Sequence, residues 1–337
     1  MEIVQRSFAR EEWTKITETL PGLSLMQTWE YAEAKAETGP WSPVRAIVVD
    51  GSSVVAALQG IERKLPIAGG GLLWINRGPL MATLTVSFED VLALFARWAE
   101  ERRWYVRAAP PVRELELPKL RGVGFTQTFT GGWSSSVVDL TVSEEQLRAR
   151  LDQKWRNCLN KAIRAGVTVH SSDDDVAFNA YVDALNERLK TNPFETSLTS
   201  DFLRALQAAL PDDRKMRVLV ASHDDRTLGR YLIATYGDTA EYLSSVLEES
   251  GRQINAGHAL LWAAMTEMRE RGLRHFDLGG MHSGRTPKGI YHFKQGAGGT
   301  PYQLANEIET SRRDWRSALI RWRIGALRKH ETSPALT

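Results

Sequence analysis

The chain has 337 residues, 42% hydrophobic and 25% charged, with a formal net charge of +2. Its length exceeds one comfortable core and predicts two domains, and its near-neutral balance excludes polyanion recognition by overall charge, leaving it to local clusters. A single cysteine, a charged N-terminus and the lack of any run near the roughly 20 apolar residues of a membrane helix exclude a disulfide framework, a secretory signal and a membrane span, predicting a soluble, cytoplasmic protein.

Residues 11–19 and 27–37 read as helices parted by Pro21-Gly22, the second carrying Trp29, Tyr31 and Lys35. A strand over 44–49 runs into Asp50-Gly51, a strong hairpin signal, and pairs with 54–58. Residues 61–65 and 72–75 predict a further strand pair around Gly69-Gly70-Gly71. Strand-like residues follow that triple glycine, so no helix N-terminus is offered to a phosphate. Arg77-Gly78-Pro79 ends the strand, and residues 88–102 set Val91, Leu94, Phe95 and Trp98 on one face of an amphipathic helix. Strands follow at 104–108, 125–129 and 135–140. Ser143 stands three residues before Gln146, the capping-box spacing, and opens helices through 147–165.

The domain boundary is expected near residue 140. Beyond it, 176–190 and 200–210 read as helices, and 218–222, 228–235 and 240–247 as strands. Residues 255–272 form a long helix with Leu260, Leu261, Ala264 and Met268 inward. Both halves run helix pair, antiparallel meander, helix and strand, which reads as a duplicated α+β unit. The expected layout is 1–140, 141–310 and a basic tail over 311–337.

Chemistry concentrates between His275 and Gly299. A short strand, 275–278, breaks at Gly279-Gly280, and Gly289-Ile290-Tyr291-His292-Phe293-Lys294 follows a polar loop. Period-two alternation there predicts a strand, with Lys294 on the face opposite Tyr291 and Phe293. Gly296, Gly298 and Gly299 imply a tight turn or the close approach of another group. A lysine beside such a space can stabilise a developing negative charge, or can simply be a solvated hairpin residue.

Basic residues cluster twice more. Lys154, Lys161 and Arg164 share a helix face, with Arg156 beside them, and suit either RNA phosphates or water. The tail combines Arg312, Arg313, Arg316, Arg321, Arg323, Arg328 and Lys329 with Trp315, Leu319 and Trp322 at helical spacing. Such a helix packs on the body of the protein, binds RNA, or makes peripheral contact with the inner membrane surface. Residues 254–259 resemble the pyrophosphate loop of acetyl-CoA-dependent N-acetyltransferases, with Ile254 where Gln or Arg is usual; a CoA site and an ordinary helix start both fit. The histidines show no metal spacing, no Gly-x-Ser-x-Gly elbow exists, and Cys158 reads as a packing residue.

The stretch 276–280, then 289–294, then Gly298-Gly299, resembles the FemABX family, as do Gln27-x-Trp29 with Lys35, Arg77-Gly78-Pro79, and Lys154-x-Arg156 with Lys161-Ala162. The matches follow the family's order over residues 25–310. The resemblance implies an α+β fold of two tandem GNAT-like domains with no helical arm, and an aminoacyltransferase moving an amino acid from aminoacyl-tRNA to an amine. It implies a peptidoglycan precursor, UDP- or lipid-linked, as acceptor in cell-wall cross-bridge formation. Aminoacylation of a small-molecule amine in a natural-product pathway and CoA-dependent N-acyl transfer are the alternatives. Lys294 then lies near the reacting ester and Lys35 at the precursor's phosphates, with Trp29, Arg77, Tyr291, Gly298 and Gly299 lining the substrate sites. Lys154, Arg156, Lys161 and Arg164 face tRNA, and the tail returns to the first domain. Because an aminoacyl ester is already activated, no cofactor or metal is called for. Two positions depart from the pattern: residues 192–197 contain no arginine for the nucleotide phosphates, and Ala109 stands before Pro110 where relatives often have aspartate.

Overall fold

The computed structural model describes residues 1–65, 69–82, 86–118, 120, 122–128, 131–191, 198–312 and 314–331, the stretch 325–331 as backbone alone. Phe129, the 192–197 segment and Arg313 therefore lie outside the described residues. The chain forms two units, one from residues 1–132 and 304–331, the other from 133–191 and 198–303.

In the first unit the turn at Asp50-Gly51 joins Ser42–Asp50 to Ser53–Lys64 as an antiparallel hairpin. Ser53–Lys64 is one strand where two were expected. Gly60 carries it through, because a Cβ there would lie 2.7 Å from Leu73 on the neighbouring strand. Gly71–Asn76 pairs antiparallel with Ser53–Lys64 and parallel with Trp104–Ala109, the crossover being the helix Phe88–Glu101. That helix buries Val91, Leu92, Phe95 and Trp98 against Val48, Leu58, Leu73 and Val106. The C-terminal helix Trp315–Glu331 belongs to this unit, with Ser317 and Ile320 buried. Its Arg321 donates to Glu309 Oε1 at 3.1 Å and to the carbonyls of Thr310 and Arg312 at 3.1 and 2.8 Å.

The second unit has its own sheet, in the order Thr300–Gln303, Ser134–Asp139, His275–Asp277, Thr239–Leu247, Arg226–Tyr236, Arg217–His223, Thr168–Ser172. The division of the chain falls at 132/133 rather than near 140, because Ser134–Asp139 hydrogen-bonds between two strands of this second sheet. The meander from Arg217 to Leu247 is antiparallel. The helix Ala256–Glu270 then returns the chain to His275–Asp277, parallel to Thr239–Leu247. Leu260, Leu261, Ala264 and Met268 are buried against Val138, Trp155, Tyr231 and Phe276. The Ser143–Gln146 capping box forms, but the chain breaks at Leu151-Asp152, giving the helices Glu144–Arg150 and Gln153–Arg164.

One expected element is overturned. Lys288–Gln295 is a helix, entered from Pro287 and ended at Gly296. Five alternating residues are too few to separate period 2 from period 3.6. The helix turns Phe293 onto the core and buries Lys294 while Gly289 and Ile290 face solvent. Lys294 therefore shares a helix face with Tyr291, three residues earlier, rather than opposing it.

Candidate functional site

The site grows from the parallel pair in the second unit. Its register sets Glu241 beside Asp277, both buried, at the last paired position before the chain leaves the sheet at Gly279. Thr239–Leu247 bulges at the same place: Leu232 pairs with Ser244 and Ile233 with Tyr242, so Leu243 has no partner. Tyr242 follows directly on Glu241, and its half-buried ring carries a phenol pushed up to about 12 by desolvation.

Asp277 organises the turn after its strand. Its Oδ1 accepts from Gly279 N at 2.8 Å and from the Ser135 hydroxyl, and its Oδ2 accepts from the Tyr302 hydroxyl at 2.6 Å. The Ser135 hydroxyl also lies 2.8 Å from the Gly279 carbonyl, so one proton ties carboxyl and turn together. Gly279 has φ +70, and a Cβ there would stand 2.5 Å from the Tyr242 carbonyl, so both conformation and space demand glycine. Glu241 accepts from Tyr236 at 2.9 Å.

Lys294 enters this frame from its helix. It is 6% exposed, donates to the Gly280 carbonyl at 2.9 Å, and holds its Nζ 5.0 Å from the centre of the Tyr242 ring. An ammonium has three donors; two of these have no partner among the described residues. Burial pushes Lys294 down to about 8, partly countered by the carboxyls of Asp277 and Glu241. At pH 7 such a group remains charged by roughly ten to one. The site thus keeps a desolvated cation on a fixed frame, with donors to offer an anion. This overturns the solvated-hairpin alternative.

The glycines meet the expectation of a tight turn and a close approach. A Cβ on Gly298 (φ +79) would meet the Arg150 carbonyl at 2.7 Å, and one on Gly299 would meet Ser136 Oγ at 2.5 Å. What approaches these glycines is the unit's own backbone and side chains. Beside them, Trp155 donates to the Phe293 carbonyl at 3.0 Å and packs with His258, whose imidazole burial pushes down to about 4. Tyr291 is half-buried, with its ring 5.8 Å from that of His292.

On Gln153–Arg164, Lys154, Lys161 and Arg164 are exposed, whereas Arg156 is committed to the preceding turn. Arg156 donates to the carbonyls of Ala149 and Leu151 at 2.9 and 2.7 Å and to Gln153 Oε1 at 2.8 Å, which takes it out of the expected RNA face.

Lys35, Trp29 and Arg77 belong to the first unit. Lys35 is half-buried, lies 5.6 Å from the centre of the Tyr31 ring, and is pushed down by desolvation. Trp29 is covered by the Arg45 guanidinium at 3.4 Å from its ring centre. Arg77 is buried with φ +56. Gln27 pins this region, donating to the carbonyls of Gln59 and Asn76 at 2.9 and 2.7 Å and accepting from Gln59 N at 2.8 Å.

Sequence reasoning missed the carboxyl frame. Asp277 is visible as an acid ending an apolar strand, but Ser135, Glu241, Tyr242 and Tyr302 join it only through strand register. Residues 146–295 match the family model of the acetyltransferase (GNAT) domain. No curated protein matches the chain in sequence. Among solved structures, FemX superposes with a TM-score of 0.79 at 16% identity, covering 96% of this chain and 99% of that one. L-PGS from Bacillus licheniformis gives 0.55 at 14% identity, covering 93% and 95%. A tandem GNAT protein from the clavulanic acid biosynthesis pathway gives 0.53 at 15% identity, covering 93% and 99%. The chain therefore shares the fold of FemX, two GNAT-like units in tandem with no helical arm among the described residues, and its residues 146–295 match an acetyltransferase-type domain.

Proposed function

We propose that the chain is an aminoacyltransferase that moves an amino acid from aminoacyl-tRNA to the amine of a peptidoglycan precursor. The observation that carries this reading is Lys294, a buried ammonium with donors unused among the described residues, held on a carboxyl-organised turn. The resemblance of residues 276–299 to the FemABX pattern supports the choice of donor. In this reading the acceptor amine attacks the ester carbonyl, the C–N bond forms, and the carbonyl oxygen becomes an oxyanion that Lys294 stabilises. Collapse breaks the ester C–O bond, and the departing ribose hydroxyl ends with the proton the amine gives up. The ester's own activation and the positioning of two substrates supply the rest of the driving force. Lys154, Lys161 and Arg164 contact tRNA phosphates; Lys35, Trp29 and Arg77 form the acceptor side, and Tyr291, Gly298 and Gly299 flank the reacting ester.

The test is incubation with a charged-tRNA pool and nucleotide- or lipid-linked muropeptide, with product read by mass. An adduct one aminoacyl residue heavier is expected, and its absence with Lys294→Met. Product only with small amines would move the acceptor to a natural-product intermediate. Heat of binding with acetyl-CoA and acetyl transfer without tRNA would replace the reading by CoA-dependent chemistry.

A further inference from the structure

The helix Trp315–Glu331 has an outward seam that the site does not use. Ser317 and Ile320 face inward and Arg321 is engaged with Glu309, which fixes the rotation of the helix. Away from them stand Trp315, Leu319 and Trp322, at 60%, 43% and 70% exposed. Spaced at i, i+4 and i+7, they line one side of the helix, with exposed Ala318 between them. Single exposed apolar residues are ordinary, but a continuous row of two indoles and a leucine marks an interaction surface.

One flank of the seam is cationic. The Arg316 guanidinium lies 4.8 Å from the centre of the Trp315 ring, and Arg323 is exposed. Between Trp315 and His330 the sequence has five basic residues (Arg316, Arg321, Arg323, Arg328, Lys329) and no acidic one. Indole rings settle at headgroup depth, where one edge is apolar and the other wet, and arginines beside them meet lipid phosphates. RNA would match the arginines but leave Leu319 in water. A protein partner would have to supply both an apolar groove and a ring of carboxylates.

We infer that this seam docks the chain on an anionic phospholipid surface. The contact is peripheral, since no helix among the described residues is long and apolar enough to cross a membrane. The inference goes beyond the transfer reaction and stands whatever the acceptor amine is.

The test is co-sedimentation of the full chain with vesicles of phosphatidylcholine alone, or with about one-third phosphatidylglycerol, at low and high salt. Binding is expected on the phosphatidylglycerol vesicles and weaker at high salt, where the charges are screened. Trp315→Ser with Trp322→Ser should lower it about tenfold or more. Replacing one exposed arginine, as in Arg323→Gln, should lower it about fivefold. Leu319→Asp, a carboxylate at the centre of the seam, should abolish it while leaving the melting temperature unchanged. The inference fails if the wild type does not sediment, or if these variants sediment as well as it does. It fails equally if they lose tRNA binding instead, or if their only effect is to abolish a concentration-dependent dimer.

Discussion

Replacing Lys294 by methionine separates what the ammonium costs the fold from what it does for transfer. Burial moves its pKa from the ordinary 10.5 to about 8, which at 1.36 kcal/mol per unit is a penalty of about 3 kcal/mol on the charged form. Methionine keeps most of the apolar stem and removes that penalty. It also leaves the Gly280 carbonyl without its donor and the Tyr242 face without its cation, losses of about 1 kcal/mol each. The net expectation at pH 7 is a gain of about 1 kcal/mol, or about 2–4 °C in melting temperature for a unit of this size. Transfer should fall about 10²–10³-fold. The pH dependence gives a second reading. The unfolded chain holds its proton up to 10.5 and the folded chain loses it near 8, so wild-type stability rises with pH between those values. The stability advantage of Lys294→Met should be full below pH 8 and gone by about pH 9, with wild type the more stable form above that. Thermal unfolding across that range, beside mass-detected aminoacyl transfer at pH 7, reads both. A variant that melts well below wild type at pH 7, or transfers at the wild-type rate, refutes the reasoning.

The wild-type rate itself should decline as pH rises through about 8, where Lys294 loses its proton, and a rate that keeps climbing past that value would point to the neutral amine instead. Asp277→Ala strands the Ser135 and Tyr302 hydroxyls and the Gly279 N–H; a loss of about 3 kcal/mol or more is expected by denaturant titration, with transfer falling too. Gly279→Ala should cost about 1–3 kcal/mol in the same titration and lower transfer, since the new methyl meets the Tyr242 carbonyl at a positive φ. Lys154→Ala, Lys161→Ala and Arg164→Ala combined should flatten the slope of log affinity for tRNA against log salt by about 2–3, measured by filter binding. Arg156→Ala should instead lower the melting temperature, because its guanidinium holds the carbonyls of Ala149 and Leu151.

Local pattern carried a good deal of this molecule. The Asp50-Gly51 hairpin, the Ser143 cap, the inward stripe of Leu260, Leu261, Ala264 and Met268, and the doubled order of helices and meanders follow from contacts within a few residues, so they are written in adjacent letters. Lys294 and its glycine neighbours were also found there, through motif resemblance. The alternation over residues 290–294 misled because a short run fits two periods. Packing of Phe293 on Trp155 and the inward turn of Lys294 settle it as a helix. The glycines were legible as places that tolerate no side chain, but not as places where Arg150, Ser136 and Tyr242 stand in the way. Above all, the frame of Lys294 comes from residues 135, 241, 242, 277 and 302, brought together by strand register. Register is a property of chain segments pairing across a hundred residues and more, and no single segment encodes its partner. That is why the charge-bearing residue was visible in the sequence and the environment that lowers its proton affinity was not.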